Sequence, residues 1–123
     1  MPKFFVLRRE HEDAFGRAGL ARFAKKSVRM LMRDFGELTE GDEADLLQFV
    51  ERSISFARQY GLRTERQMHA LCEAAVLMKR HRYDLTADPT VIEILCLDQE
   101  ADTRSHLIRE HVAVLESERG AEA

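Results

Sequence analysis

The sequence is short of the residues that interrupt regular secondary structure. Its 123 residues include two prolines, six glycines and no tryptophan. Sandwiches and barrels need frequent turns rich in glycine and proline, so this scarcity argues against both. Hydrophobic residues make up 45% of the chain and charged residues 33%, which is too apolar for a disordered protein. We therefore expect an all-α fold in a single compact domain covering residues 1–123.

Long apolar runs and cysteines are also scarce. No run approaches the roughly eighteen apolar residues of a membrane-spanning helix, and residues 1–10 lack the apolar core and cleavage site of a signal peptide. The two cysteines, Cys72 and Cys96, each lie in an apolar helical pattern. This pattern predicts two buried reduced thiols rather than a disulfide framework. We expect a cytoplasmic protein.

The charges are divided unevenly along the chain. The net charge is −3, yet residues 1–35 hold nine lysines and arginines against four acidic residues, whereas the remainder holds ten against eighteen. Such asymmetry is typical of a chain whose basic part meets an acidic partner. It is equally expected if the two parts of the chain face each other.

Hydrophobic residues recur at three- and four-residue steps and predict about five helices, with no sheet of consequence. The short apolar run Phe4–Leu7 fits either a strand or a helix, and residues 120–123 are expected to fray. The predicted helices run from about Arg8 to Phe35, from near Asp42 to Gly61, from Thr64 to an irregular stretch at 80–88, from Val91 to Leu95, and from near Glu100 to Arg119. The predicted core contains Phe23, Leu31, Leu46, Val50, Ile54, Leu71, Ala75 and Leu107.

Three short motifs predict where helices end and begin. Gly61, after Tyr60, stands where a left-handed residue usually ends a helix. Thr64 and Gln67 have the spacing of a capping box, in which each side chain satisfies the other residue's backbone N–H. Asp88 before Pro89 combines an acceptor cap with a residue whose missing N–H has no consequence at the first helical position. We interpret these residues as structural.

Few residues suggest chemistry. His69 and Cys72 are three residues apart, and His106 and His111 lie on another helix, but the clustered Cys and His pairs of a zinc site are absent. A Cys–His nucleophile is possible in composition, yet no glycine-rich elbow or helix N-terminus marks an activated thiolate. Phosphate loops, dinucleotide fingerprints and HExxH are absent as well. We expect no catalytic residues, no metal and no cofactor.

The first predicted helix carries a row of basic residues. At 100° per residue its cations fall within about 60° of one direction, opposite the apolar stripe. They could dock an acidic protein surface, or only solvate the helix. They could also follow nucleic-acid phosphates with Phe56 or Tyr60 stacking on bases, although a pI near 6.0 disfavours this. The candidate partner-binding residues are Arg22, Lys25, Lys26, Arg29 and Arg33.

The segment Ile54–Gln67, ISFARQYGLRTERQ, resembles the RAxxYGIxxERD segment of a family of small helical proteins encoded beside bacterial type VI secretion and polymorphic-toxin genes. FVLRRE, from Phe5, is similar to the family's LxIRxEQ opening. Residues 76–95 are similar to its LMxxxGxxFDxDPxxPWAxxIL segment, through Val76-Leu77-Met78, Tyr83-Asp84, Asp88-Pro89 and Ile94-Leu95. The likeness covers about three quarters of the chain.

The sequence departs from the family at Gly36, where proline is usual, near His81, where glycine is usual, and at Val91 and Ile92, which replace PWA. The resemblance implies a cytoplasmic accessory protein for a secreted effector, either a chaperone or adaptor, or an immunity-type inhibitor. It brings no catalytic residues. The expected partner is therefore a protein, and a small nucleic-acid-binding module is the alternative.

Overall fold

The computed structural model describes residues 16–36 and 42–122, with side chains to residue 118. The described residues form five α-helices and one 3₁₀ turn and contain no strand, which confirms the all-α prediction. None of the described helices is long and apolar enough to cross a membrane. The elements are α1 (Gly16–Phe35), α2 (Glu43–Gln59), α3 (Glu65–Arg80), the 3₁₀ turn (Leu85–Ala87), α4 (Pro89–Leu95) and α5 (Ala101–Glu122).

The first and last helices test the predictions made for the two ends of the chain. Helix α1 ends at Phe35 as predicted, whereas its predicted start at Arg8 and the run Phe4–Leu7 lie outside the described residues. The backbone of α5 is helical to Glu122, beyond the predicted end at Arg119. Fraying of the last residues stays a prediction.

The predicted start motifs of α2, α3 and α4 are confirmed. Asp42 caps α2 by accepting from the Asp45 amide at 2.8 Å. Gln67 N–H donates to Thr64 Oγ1 at 3.1 Å, and Gln67 Oε1 accepts from the Thr64 N–H at 3.2 Å. Asp88 accepts from the Val91 amide at 3.0 Å and has Pro89 after it. Each cap satisfies backbone donors that a helix leaves unpaired.

Helices α2 and α3 end in the same backbone motif with different residues. After α2, Gly61 has φ +83° and the Leu62 amide donates back to Ala57, which confirms the predicted cap. After α3, the left-handed position is held by Arg82 at φ +64°. The sequence did not predict this second cap, because arginine lacks the conformational freedom that marks a glycine.

Helix α3 is the centre of the fold and packs against α1, α2 and α5. Periodicity predicted one apolar stripe on this helix, but side chains around most of its circumference are buried. The stripe is widened by small residues such as Ala70 and Ala74, which let neighbouring helices approach closely. The buried residues of α3 are Gln67, Met68, His69, Ala70, Leu71, Cys72, Ala74, Ala75, Val76 and Met78.

Seven of the eight predicted core residues are buried, and Leu107 is the exception. On α5 the residues turned into the core are Ile108 and Val112, so Leu107 lies at its edge and is only half-buried. Neighbouring residues on a helix point 100° apart. The sequence pattern alone could not show whether Leu107 or Ile108 faces α3.

The prediction of two buried thiols is wrong for Cys96. Cys72 is fully buried in α3, whereas Cys96 is exposed. Cys96 follows the last residue of α4, and its N–H donates to Ile92 and Glu93. Its side chain points away from the core because α4 stops there.

Candidate functional site

The five basic residues predicted as a partner surface all lie exposed on α1. We call Arg22, Lys25, Lys26, Arg29 and Arg33 the basic face. The opposite side of α1 carries the buried Phe23, Val28 and Leu31. The core therefore holds α1 in place while the basic face meets solvent.

Two of these cations have an ionic partner. Lys26 lies 3.4 Å from Glu65 at the start of α3, and Arg33 lies 2.9 Å from Asp34. The hydrogen bond from Arg33 lowers the pKa of Asp34, which keeps that carboxylate ionised. Exposed pairs of this kind contribute little to stability, because water and salt screen them. The sequence allowed the basic residues to meet either a partner or the acidic part of the same chain. The second arrangement is observed for Lys26.

The other three cations, Arg22, Lys25 and Arg29, make no ion pair with another described residue. They lie at three- and four-residue spacing on one rigid helix. Like charges at that spacing repel and destabilise a helix by about 0.2–0.5 kcal/mol per pair. An acidic partner would relieve this repulsion.

Grooves lie on both sides of α1. The first, which we call the α1/α3 groove, has a volume of about 410 Å³ and is bordered by Arg22, Lys26 and Glu65. The second, the α1/α2 groove, has a volume of about 570 Å³ and a largely apolar floor. Its lining comprises Arg17, Leu20, Ala21, Ala24, Glu51, Ile54, Ser55, Arg58 and Gln59.

A further cleft of about 380 Å³ lies between α2, α3 and the 3₁₀ turn. Lys79 Nζ lies 4.9 Å from the centre of the Phe49 ring there, a cation–π contact that partly satisfies the ammonium. Asp84 also lines this cleft, but its carboxylate accepts from the Thr86 amide and hydroxyl. These groups are satisfied within the protein.

The C-terminal ends of α2 and α4 meet at a junction organised by Arg104, which the sequence analysis missed. Arg104 Nη1 donates to the Tyr60 carbonyl at 2.6 Å and to the Leu95 carbonyl at 2.8 Å, and its Nε donates to the Gln99 carbonyl at 3.1 Å. One guanidinium of α5 thus binds the ends of α2 and α4. No local spacing could reveal this, since Tyr60 and Arg104 are 44 residues apart.

Gln67 also extends the junction. Besides completing its capping box, its Nε2 donates to Asp102 Oδ1 of α5 at 2.8 Å. Phe56 and Tyr60 pack edge to face nearby, with ring centres 5.1 Å apart. Both rings are partly buried against the core, so neither is a free platform for base stacking.

A buried polar cluster joins α1 to α3. Ser27 Oγ lies 2.7 Å from His69 Nδ1, and His69 Nε2 lies 3.3 Å from Glu73. The order serine, histidine, carboxylate is that of a nucleophilic triad. Ser27, however, has 0% of its surface exposed, so its hydroxyl cannot reach a substrate in this structure.

The pKa shifts in this cluster follow from burial. Burial lowers the pKa of His69, although the Glu73 carboxylate partly opposes the shift. With its proton on Nε2, on the side of Glu73, a neutral His69 accepts the hydrogen bond of Ser27 at Nδ1. Burial raises the pKa of Cys72 to about 12, and the neighbouring Ser27 hydroxyl opposes this shift only in part. Cys72 is therefore an unreactive thiol that packs the core.

The histidines considered as zinc ligands are separate from one another. His106 Nε2 lies 2.9 Å from Glu110 on α5, and His111 Nε2 lies 3.5 Å from Asp88. Across residues 16–36 and 42–118, no three His, Cys, Asp or Glu side chains form a group that could hold a metal ion.

The two cysteines should differ in reactivity. At pH 8 we expect Ellman's reagent to modify Cys96 within seconds to minutes, and Cys72 only after unfolding in guanidinium, because Cys72 is buried and its pKa is about 12. The native protein should yield one thiol per chain and the unfolded protein two. Cys96→Ser should remove the fast reaction, and two fast thiols in the native protein would contradict the packing of Cys72.

Comparisons of this chain with known protein families, with curated proteins and with solved structures give no match.

Proposed function

We propose that this protein is a non-enzymatic, cytoplasmic accessory factor that binds a secreted bacterial toxin or effector. It acts as a chaperone or adaptor, or as an immunity-type inhibitor. The partner places an acidic segment on α1, where the basic face recognises it. Binding needs no cofactor.

The observation that carries this proposal is the set of cations Arg22, Lys25 and Arg29, which no described residue neutralises, on a helix held by its opposite side. Their helix is already ordered, so little conformational entropy is lost when they bind a partner. Complementary charge accelerates encounter and excludes basic partners. Such a surface suits a factor that must find one protein among many.

The resemblance of residues 54–67 and 76–95 to proteins encoded beside secretion and toxin genes supports the same proposal. The matching residues cap helices, as Gly61, Thr64 and Gln67 do here. They therefore relate to a shared fold, while the choice of effector would depend on surface residues. The resemblance supports the class of partner rather than its identity.

A nucleic acid fits the same surface less well. Phosphate contacts need cations alone, but here one side of the helix continues into a largely apolar groove. Phe56 and Tyr60, the aromatic residues that could have stacked on bases, are packed on each other. We therefore favour a protein partner.

The charge-reversal pair Lys25→Glu/Arg29→Glu should slow association with the effector by about tenfold at low salt and make the rate less dependent on salt. We choose Lys25 and Arg29 because neither makes an ion pair with another described residue, whereas Lys26 pairs with Glu65. The binding partner in this measurement is the product of the gene adjacent to this one, co-expressed with the protein, and stopped flow at two salt concentrations gives the association rate.

The matched control is Arg52→Glu/Arg63→Glu, which changes the net charge equally at exposed positions away from α1. An unchanged rate in the Lys25/Arg29 variant would contradict the proposal. A salt-dependent complex with a random DNA duplex, lost in that variant while no effector binds, would instead support the nucleic-acid alternative.

A further inference from the structure

We infer that the α1/α2 groove binds an amphipathic helix of the partner, one with apolar anchors followed a turn later by carboxylates. This inference rests on the proposed function and specifies the form of the acidic segment. It comes from the shape of the groove and the charges at its ends.

The shape of the groove comes from small residues on both helices. Ala21 on α1 and Ser55 on α2 are exposed, and between them Ala24 and Ile54 form a buried floor. Small side chains at the outer positions leave a trough between the two helices. Its volume of about 570 Å³ lies within the range of about 300–1,000 Å³ typical of binding pockets. Two or three apolar side chains of a partner helix would fill it.

The charges at the two ends of the groove differ. Helices joined by a short connection pack antiparallel, so Arg17 at the start of α1 and Arg58 at the end of α2 border the same end. Glu51, two turns earlier on α2, borders the other end. Neither arginine makes an ion pair with another described residue.

This arrangement specifies a helix and its direction. Helical partners use anchors at i, i+3, i+4 and i+7. The anchors would lie over Ala24, Ile54 and Ala21, with carboxylates one turn beyond Ala21, beside Arg17 and Arg58. A basic residue at the opposite end would meet Glu51. The reverse orientation would place carboxylates against Glu51 and is disfavoured by repulsion.

The basic face lies next to the groove but outside it. Lys25 follows Ala21 by one turn on α1, yet it and Arg29 line the α1/α3 groove on the other side of the helix. The helix in the α1/α2 groove is therefore recognised by Arg17 and Arg58, and a further acidic segment of the same partner would meet Lys25 and Arg29.

A second copy of this chain would fit the groove poorly. A two-fold contact places the same patch on both subunits, so one groove would face another and no side chain would fill either. Where the two-fold axis runs along the groove, Arg17 and Arg58 would also meet their own copies and repel them. These two effects favour a different protein as the occupant.

The test uses two fluorescent synthetic helices of 18 residues and the full-length protein. The acidic helix carries three leucines at i, i+3 and i+7 and two glutamates one turn beyond them, and the control helix has lysines in place of the glutamates. We expect the acidic helix to bind at least tenfold tighter by fluorescence anisotropy. Arg17→Glu/Arg58→Glu should reverse that preference.

Filling the groove should abolish binding of the acidic helix. Ala21→Trp and, from the other wall, Ser55→Trp each place a large ring in the trough, and thermal denaturation identifies a variant that does not fold. Ala113→Trp, an exposed position on α5, is the matched control and should bind normally. Equal binding of both helices, or full binding to the folded Ala21→Trp and Ser55→Trp variants, would overturn the inference.

Effector binding and the oligomeric state distinguish a failure of this inference from a failure of the proposed function. If the effector binds wild type and both tryptophan variants equally, the groove inference is wrong and the proposed function stands. If the effector never binds but the acidic helix does, the proposed function is wrong and the groove remains a helix site. A wild-type dimer that Ala21→Trp dissociates would make a second copy the occupant and overturn the inference.

Discussion

Arg104→Met is expected to lower the free energy of unfolding by about 3 kcal/mol, because hydrogen bonds to a charged group contribute about 1.5–3 kcal/mol each. Arg104 donates to the carbonyls of Tyr60, Leu95 and Gln99. The first two lie at the C-terminal ends of helices, where partial negative charge favours a cation. Methionine keeps much of the aliphatic stem, so the lost stability would come chiefly from the guanidinium.

Urea denaturation followed by circular dichroism measures this change, and Arg104→Lys tests its geometry. A lysine ammonium lacks the planar fork that reaches several carbonyls at once, so we expect it to recover less than half of the loss. Arg109→Met, an exposed arginine on the same helix, is the matched control and should change stability by about 0.5 kcal/mol or less. Similar effects at positions 104 and 109 would contradict the assigned role of Arg104.

Gly61→Val should cost about 2–3 kcal/mol, since a β-branched residue is strained by about 1–2 kcal/mol in the left-handed region. Gly61 has φ +83°, and a Cβ there would lie 3.4 Å from Arg104 Nη2. The guanidinium cannot move freely because its hydrogen bonds hold it. Gly61→Asn should cost about 1 kcal/mol or less, because asparagine tolerates this conformation.

A double-mutant cycle separates backbone strain from the contact with Arg104. In an Arg104→Met background, Gly61→Val should lose the part of its cost that comes from displacing the guanidinium, about 1 kcal/mol. The remainder is backbone strain. Equal costs for valine and asparagine in wild type would contradict the left-handed cap, and strict additivity would contradict the coupling.

Local patterns were enough to predict most of the helices. A cap depends on residues within one turn, so Thr64 with Gln67 and Asp88 with Pro89 could be recognised from spacing alone. The basic face was predictable for the same reason, because helical geometry places residues at three- and four-residue steps on one side. These interactions form wherever the helix forms, whatever packs around it.

Contacts between distant parts of the chain required the folded structure. Ser27 with His69, Arg104 with Tyr60, and Lys26 with Glu65 join residues 39 to 44 positions apart. Periodicity shows that a helix has an apolar side but not which neighbour covers it. The prediction from periodicity therefore missed the burial around α3, and it was wrong to place Leu107 in the core and to expect a buried Cys96.

Some features of the candidate site could likewise be predicted from the sequence, and others required the folded structure. The positions of Lys25 and Arg29 on one side of α1 follow from the sequence, because they depend on the geometry of a single helix. Their lack of an ionic partner among residues 16–36 and 42–118, the pairing of Lys26 and the groove beside Arg17 depend on where α2 and α3 lie. Those positions result from packing many side chains at once, a long-range property that no segment of the sequence holds alone.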